Sequence, residues 1–245
     1  MYLLFCYPVT AECEEKMVEK DLSQTCKACQ QFNELNVLIR DQKIRKMEAK
    51  KQLLELMPKI KDYALKHGAK QHPVEQWIFP VEGFNIRTAG NNGGADYISS
   101  GYDYFDGNRH GGHPAFDLFI NDKNQESVND KTGEPVNVSS MTGGIVIAVQ
   151  KSWDKKSKLR GGKYIWIYDL TYGALVYYAH NRDVYVSLGE IVEPGDIIAT
   201  VGRTGFNAYK KRSPTHLHIS YLNIVDGYPK PKNIYSILKS LKSLQ

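Results

Sequence analysis

The sequence predicts an α+β protein in which a helical N-terminal region precedes a domain of antiparallel β-strands that ends in a short helix. Residues 30–66 are poor in glycine and place leucine, isoleucine and methionine at helical spacing. From residue 77 onward, β-branched and aromatic runs are bounded by Gly, Asn, Asp and Pro, which is typical of strands joined by short turns. We therefore expect a helical region over residues 1–72, which holds four cysteines, and a β-rich domain over residues 73–245.

The helical region has an interrupted middle and a defined end. Its apolar residues at helical spacing include Leu35, Leu38, Leu53, Leu54, Met57 and Ile60. Pro58 is expected to end one helix or begin the next, because proline lacks the backbone N–H that a helix needs. His67 and Gly68 form a predicted helix stop. We expect the region to be a structural arm that packs on the rest of the protein or on a second chain, with a regulatory, propeptide-like role as the alternative.

All the cysteines lie in this N-terminal part, at Cys6, Cys13, Cys26 and Cys29. An even number confined to a short segment of an exported protein favours two disulfides. A structural zinc site is the alternative, because Cys26 and Cys29 have the C-x-x-C spacing. Residues 2–7 are apolar, but the stretch is short and no basic segment precedes it, so we predict no intact signal peptide in this chain.

The β-rich domain is predicted from its strand-like runs, which include residues 144–149, 163–168, 174–178 and 195–200. Residues 83–112 are crowded with Gly, Asn, Asp and Tyr and are expected to form a long loop. The polar segment at 121–134 is expected to be a surface loop. Apolar residues at helical spacing predict a small helix within residues 231–244.

Composition excludes several classes of protein. The chain has 245 residues, 42% of them hydrophobic, which is enough to bury a substantial core. No apolar run approaches the roughly 18 residues of a membrane span. The net charge is +5, and its basic clusters lack the interleaved aromatic residues of a nucleic-acid surface. We therefore expect neither a transmembrane protein nor a nucleic-acid partner.

The first informative motif of potential metal ligands consists of His113 and Asp117, which are four residues apart. Pro114 follows the histidine and biases it toward an extended backbone. Phe116 and Leu118 alternate with Asp117, as in a strand with one apolar face. Asp117 is therefore expected to lie on the polar side of that strand.

A second motif, His216–Leu217–His218, lies about a hundred residues later. Successive side chains of a strand point to opposite faces, so both imidazoles are expected on one side of a strand and Leu217 on the other. Two imidazoles and one carboxylate can hold a zinc ion and leave one position open for water. A metallohydrolase is therefore the first hypothesis, and a structural zinc site or no metal is the alternative.

The wider sequence resembles the lysostaphin/LytM-type zinc metallopeptidases, which cut peptide cross-links in bacterial cell walls. The similar segments are residues 113–117, 177–181, 189–196, 201–205 and 213–218, and the resemblance spans roughly residues 77–228. It implies an antiparallel catalytic domain of that type, with zinc bound by His113, Asp117 and His218. It also implies that His180 and His216 are the catalytic histidines.

The chain departs from the family pattern at three places. Ala115 stands where the family usually has glycine. Residues 207–213 replace a commonly short Gly/Ser-rich stretch and add three positive charges. The polar insertion at 121–134 is the third departure. The ligand set is unaffected, whereas the substrate preference is left open.

The expected chemistry follows from the ligand set. Zinc bound by two neutral imidazoles and a carboxylate lowers the pKa of its water to about 7 and polarises a scissile carbonyl. The chain has no H-E-x-x-H helix, so a histidine is the expected proton handler. His180 and His216 are the candidates, and the sequence leaves their individual roles open. His67 and His72 are expected to be structural, and His110 to lie at the rim.

We therefore predict a zinc endopeptidase acting on the peptides of peptidoglycan, exported from the cytoplasm as the resemblance implies. Two alternatives belong to other classes. One is a catalytically silent module that binds the cell wall or regulates other wall enzymes. The other is a zinc endopeptidase that acts on ordinary proteins. The bond cleaved, the oligomeric state and the protein partners stay open.

Overall fold

The computed structural model describes residues 25–89 and 93–244 of the chain. Its helices are α1 (Lys27–Arg40), α2 (Lys46–Lys66) and α3 (Tyr235–Ser240), with short 3-10 turns at Val74–Gln76 and Tyr104–Arg109. Its strands are β1 (Phe116–Phe119), β2 (Asn137–Ser139), β3 (Gly144–Gln150), β4 (Tyr164–Asp169), β5 (Ala174–Ala179), β6 (Ile191–Val192), β7 (Ile197–Thr200), β8 (His216–Val225) and β9 (Tyr228–Pro231). The predicted α+β class is confirmed.

The predicted effect of Pro58 is wrong, because α2 continues through it from Lys46 to Lys66. Pro58 lies on the exposed side of the helix. Water can therefore donate a hydrogen bond to the backbone carbonyl that lacks a helical partner because Pro58 has no N–H. The helical segment is interrupted instead at residues 41–45, between α1 and α2. The predicted stop is confirmed, since His67 caps α2 and Gly68 has a φ of +88°.

One disulfide joins Cys26 to Cys29 at the start of α1. The Sγ atom of Cys26 also accepts a hydrogen bond from the backbone N–H of Cys29. Cys6 and Cys13 lie outside the described residues, so a second disulfide stays a prediction.

A large antiparallel sheet organises the domain, with strand order β1-β8-β5-β4-β3-β6. Strand β8 is the longest, and β9 pairs with its C-terminal half while β1 pairs with its N-terminal half. Strands β2 and β7 form a separate two-stranded sheet. The antiparallel arrangement predicted for residues 144–200 is confirmed.

Both faces of the large sheet are covered, and β4 shows how the sequence achieves this. Ile165 and Ile167 enter one buried cluster together with residues of β1 and α3. Tyr164 and Trp166, at the alternate positions, enter a second cluster with α1 and α2. The period of two therefore directs aliphatic residues to one face and aromatic residues to the other.

Helices α1 and α2 pack directly on the second face. Their buried residues share one apolar cluster with strands β3, β4 and β5. The side chain of Asn33 in α1 also accepts a hydrogen bond of 3.1 Å from the backbone N–H of Val149 in β3. The helices thus contribute to the core of the sheet, and the division of the chain at residue 72 stays a prediction.

The remaining elements agree with the sequence analysis. Helix α3 lies within the predicted segment 231–244, and residues 121–134 contain neither helix nor strand. None of the helices in the described part combines the length and the apolar character needed to cross a membrane.

Candidate active site

Strands β1 and β8 bring the two sequence motifs together. They pair antiparallel so that Asp117 lies opposite His218 and Phe119 lies opposite His216. Leu217 is fully buried on the other side of β8, as the alternation predicts. Two segments about a hundred residues apart therefore present their polar side chains to one face of the sheet.

His113, Asp117 and His218 form a compact group of metal-binding side chains. One ligand atom from each lies within 4.8 Å of the other two. The Oδ1 atom of Asp117 is 3.3 Å from His113 Nε2 and 3.0 Å from His218 Nδ1. This spacing allows the three side chains to converge on one divalent cation.

The ring of His113 is oriented by the loop before it. Its backbone pairs with Ile98 across the loop, and its Nδ1 lies 3.0 Å from the carbonyl oxygen of Asp96. A carbonyl only accepts hydrogen bonds, so Nδ1 carries the proton and Nε2 keeps its lone pair. This arrangement is typical of histidines that bind metals through the opposite nitrogen.

His180 and His216 lie beside this group with their ring centroids 4.9 Å apart. His180 Nδ1 is 2.8 Å from the carbonyl oxygen of Thr204, and His216 Nδ1 is 2.7 Å from that of Pro214. Each backbone carbonyl fixes the proton on Nδ1 and leaves Nε2 with a lone pair. His216 Nε2 is 3.6 Å from Asp117 Oδ2, so these histidines adjoin the metal-binding group.

The backbone at His180 is held in an unusual conformation. It has a φ of +66°, in the left-handed region that few non-glycine residues adopt. Gly205 packs against it so closely that a Cβ there would lie 2.9 Å from His180 Nδ1 and 2.3 Å from the carbonyl oxygen of Arg160. Gly205 is therefore required for close approach to this ring.

Burial and charge act in opposite directions on Asp117 and His113. Burial raises the pKa of Asp117, but the three surrounding histidines outweigh it and hold the pKa well below its usual range. Burial lowers the pKa of His113, but the hydrogen bond and charge of Asp117, together with the contacts with Asp96, outweigh it, and the net shift is upward. The carboxylate therefore stays ionised across the neutral range.

Burial dominates at His180 and His218. It lowers the pKa of His180 well below the usual value, and neighbouring histidines add to the effect. It lowers the pKa of His218 to about 4, despite the opposing contact with Asp117. Both rings are therefore neutral at pH 7, as a proton acceptor or a metal ligand must be.

A cavity of about 270 Å³ opens over this face of the sheet. We call one part of its lining the histidine end, formed by His113, Asp117, His180, His216 and His218. We call the other part the helix end, formed by Asn36, Ile39, Arg40, Tyr104 and Tyr164. Between them lie Trp166 and Tyr177, whose rings stack with centroids 4.3 Å apart.

The register of the sheet relates the two ends. Asp117 pairs with His218, which pairs with Ala179 on β5. The register of β4 and β5 then brings Tyr164 beside Ala179, and Tyr164 pairs with Gln150 on β3. Neighbouring strands are about 4.8 Å apart, so Tyr164 lies roughly 10 Å from His218 across the small side chain of Ala179.

A hydrogen-bonded network forms the helix end. Asn36 Nδ2 donates to the Tyr164 hydroxyl at 3.0 Å, and Arg40 Nη1 donates to the same hydroxyl at 3.3 Å and to Gln150 Oε1 at 3.2 Å. The guanidinium of Arg40 is also paired with Asp41 at 2.7 Å. Helix α1 is thereby fixed as a wall of the cavity.

Sequence reasoning did not identify the helix end. Asn36 and Arg40 were expected only as parts of a helical arm, and Tyr164 only as part of a strand. Asn36 and Tyr164 are 128 residues apart in sequence, and no local motif links them. The contact depends on how α1 docks on the sheet.

The other three histidines lie outside the histidine end. His67 stacks on Tyr63 with ring centroids 3.9 Å apart. His72 is buried and its Nδ1 is 2.9 Å from Gln76 Oε1. His110 lines the cavity, and its position at the rim stays a prediction.

Comparison with known proteins adds an independent finding. Residues 126–229 match Peptidase family M23. The matched segment contains His180, His216 and His218 but begins after His113 and Asp117. No curated protein sequence matches the chain.

Several solved structures are similar to this one. A putative glycyl-glycine endopeptidase lytM from Ruminococcus gnavus is 22% identical, with 82% of this chain and 76% of that chain covered and a TM-score of 0.45. The catalytic domain of lysostaphin from Staphylococcus simulans is 18% identical, with 69% and 100% covered and a TM-score of 0.37. A zinc containing peptidase from Vibrio cholerae is 18% identical, with 71% and 41% covered and a TM-score of 0.41.

Proposed function

We propose that the protein is a zinc-dependent endopeptidase of the lysostaphin/LytM type, a proposal supported by the match of residues 126–229 to Peptidase family M23. Its proposed reaction is hydrolysis of peptide bonds in the stem or cross-link peptides of peptidoglycan. The observation that carries the proposal is the convergence of five side chains in one cavity, namely His113, Asp117, His180, His216 and His218.

The residues of the histidine end fit a zinc ion. We assign His113, Asp117 and His218 as its ligands, because two imidazoles and one carboxylate form an open zinc site of the catalytic kind. The hydrogen bond from His113 Nδ1 to a backbone carbonyl leaves the opposite nitrogen available for the metal. When bound, zinc acts as a Lewis acid that polarises the scissile carbonyl and lowers the pKa of water, so that a nucleophile is available at neutral pH.

We assign His180 and His216 as the catalytic histidines. Their Nδ1 atoms donate to backbone carbonyls, which leaves each Nε2 free to accept a proton from the attacking water. A ring that has taken this proton can donate it to the leaving amine, so the same side chains serve both halves of the hydrolysis. The lowered pKa of His180 keeps it in the accepting form at pH 7.

Peptidoglycan as the substrate, and action outside the cytoplasm, are supported by the family resemblance. The Cys26–Cys29 disulfide agrees with an oxidising compartment. A catalytically silent wall-binding module is disfavoured, because each ligand position implied by the resemblance holds a residue able to bind zinc.

The test is digestion of purified, cross-linked peptidoglycan followed by mass spectrometry of the fragments, with the zinc content of the protein measured in parallel. We expect new amino and carboxyl termini at one type of peptide bond, loss of activity with a chelator, and recovery with zinc. His218→Ala is the matched inactive variant.

The alternatives give different results in the same assay. A metal-free protein that binds the wall without cleaving it would show a silent module. Release of peptides from casein, with no new termini in peptidoglycan, would show a protease that acts on ordinary proteins.

A further inference from the structure

Arg160 is a cationic residue of the cavity that the proposed mechanism does not use. It is half-buried and lines the same cavity as the histidine end. Its carbonyl oxygen and the His180 ring both lie against Gly205. His180 also donates its backbone N–H to the carbonyl of Gly161, the residue after Arg160. Arg160 is therefore adjacent to the proposed reaction centre.

The guanidinium of Arg160 has no carboxylate partner among the described residues, in contrast to two other half-buried arginines, Arg40 and Arg182. Arg40, the other arginine of the cavity, is paired with Asp41 at 2.7 Å. Arg182 is paired with Asp183 at 3.5 Å. Within residues 25–89 and 93–244, no carboxylate oxygen lies within 4.0 Å of the Arg160 guanidinium.

The hydrogen bonds of Arg160 leave most of its donors available. Its Nη1 donates to the carbonyl oxygen of His110 at 2.8 Å, whereas a guanidinium has five N–H donors. Asn108 already joins the segment of residues 108–110 to the segment of residues 158–160, so the Arg160 side chain is not needed for that purely structural role. The Asn108 side chain accepts from the Arg160 backbone N–H and donates to the carbonyl of Lys158, both at 3.0 Å.

The charges in the cavity favour an anionic ligand for Arg160. Among the cavity-lining residues of the described part, Asp117 is the only one with a carboxylate. It is already surrounded by His113, His216 and His218. The positive charge of Arg160 is thus unbalanced in a partly desolvated site, where it attracts anions more strongly than on an open surface.

We propose that Arg160 binds a carboxylate of the substrate, so that the cavity selects peptides with a free carboxylate close to the scissile bond. The inference rests on the proposed function and deepens it by naming the chemical class of substrate. A guanidinium can bind a carboxylate through two parallel hydrogen bonds, which gives orientation as well as attraction. Neutral peptides of the same length lack this contact.

The test compares two forms of one substrate. Purified peptidoglycan is assayed as isolated, and after its carboxylates are converted to amides with a carbodiimide and ammonium chloride. We expect wild type to prefer the carboxylate form by about tenfold or more in kcat/KM, the range for a hydrogen bond to a charged group. Arg160→Gln should lose this preference, mainly through a higher KM on the carboxylate form.

Two further variants make the result specific. Arg160→Lys retains the charge but not the paired donors, so it should recover part of the preference. Arg109→Gln removes an exposed arginine from the same region that does not line the cavity, and it should behave as wild type. Equal loss of activity by Arg160→Gln on both substrates would overturn the inference and leave Arg160 a structural residue.

Failure of the proposed function is distinguishable from failure of this inference. If wild type cleaves neither form, binding of soluble peptidoglycan fragments is measured with both forms. If Arg160→Gln binds the carboxylate form more weakly than wild type does and binds the amide form equally well, the inference is supported even though the protein has no peptidase activity. Equal binding of both forms by wild type would overturn it.

Discussion

The two ends of the cavity are built from different chemistry. At the histidine end, imidazoles oriented by backbone carbonyls from three loops surround one ionised carboxylate. At the helix end, tyrosine hydroxyls and amides bond to one another, and the charge of Arg40 is matched by Asp41. The first end is arranged for proton and metal chemistry, whereas the second joins α1 to the sheet. Substitutions at the first should change activity, and those at the second should change stability.

The largest effect is expected from Asp117→Asn. The amide cannot supply the negative ligand charge, and it leaves three histidines without their shared acceptor. We expect zinc binding to be lost and kcat/KM to fall about a thousandfold or more, since the site loses its metal. Zinc content and hydrolysis of peptidoglycan are the measurements. Asp62→Asn, an exposed change on α2, is the control; full activity in Asp117→Asn would contradict the assignment.

His180→Asn should separate proton transfer from metal binding. Asparagine tolerates the positive φ at this position but lacks the imidazole. We expect bound zinc to stay at the wild-type level while kcat falls about 10²- to 10⁴-fold. His216→Gln should behave similarly, and His67→Gln serves as the exposed control. Loss of zinc in His180→Asn would show that this residue is a ligand.

The pH dependence of stability tests the environment of His218 in the metal-free protein. Burial lowers its pKa to about 4 in the folded state, below the value of about 6.5 in the unfolded state. The unfolded state therefore binds the proton first, so this contribution is present above pH 6.5 and is lost as the pH falls toward 4.

Urea unfolding of chelator-treated protein at pH 7, 5 and 4 measures this effect. The free energy of unfolding of wild type, relative to His218→Gln, should fall by up to about 3 kcal/mol over that range. His113 acts in the opposite direction, because its pKa is raised, so the comparison with the variant is needed. A difference that does not change with pH would contradict the buried, neutral state of His218.

Tyr164→Phe should have the smallest effect on activity and a measurable effect on stability. It removes the hydroxyl that accepts from Asn36 and Arg40 and leaves those donors without this partner. We expect a loss of about 1–3 kcal/mol in the free energy of unfolding, and kcat within about twofold of wild type. Tyr185→Phe, at an exposed tyrosine, is the control. A large loss of kcat with unchanged stability would show that the helix end takes part in the reaction.

The same contrast separates what the sequence predicted from what it did not. The side of the strand on which Asp117, His216 and His218 lie follows from residue alternation, which is a local property, and the burial pattern of β1 matches it. The pairing of β1 with β8 follows no local rule, and the family resemblance supplied only the expectation that His113, Asp117 and His218 bind one zinc ion. At the helix end, Asn36 and Arg40 reach residues more than a hundred positions away, so only the docking of α1 reveals them.

At Pro58, packing against the rest of the protein overrides a local preference of the sequence. The local propensity of proline favours a helix boundary, but Leu53, Met57 and Ile60 are buried on one side of α2. Packing of that apolar side offsets the cost of one lost hydrogen bond at the exposed side. Local propensity was correct at Gly68, where the left-handed backbone itself ends the helix.

The most direct test of the central claim is X-ray absorption at the zinc edge on the purified protein, with one zinc per chain established beforehand. We expect nitrogen and oxygen ligands at about 2.0–2.1 Å, an imidazole contribution, and loss of the bound zinc in Asp117→Asn. Sulfur ligands near 2.3 Å would place the metal at cysteines. Those ligands, or zinc retained in Asp117→Asn, would contradict the assignment of His113, Asp117 and His218.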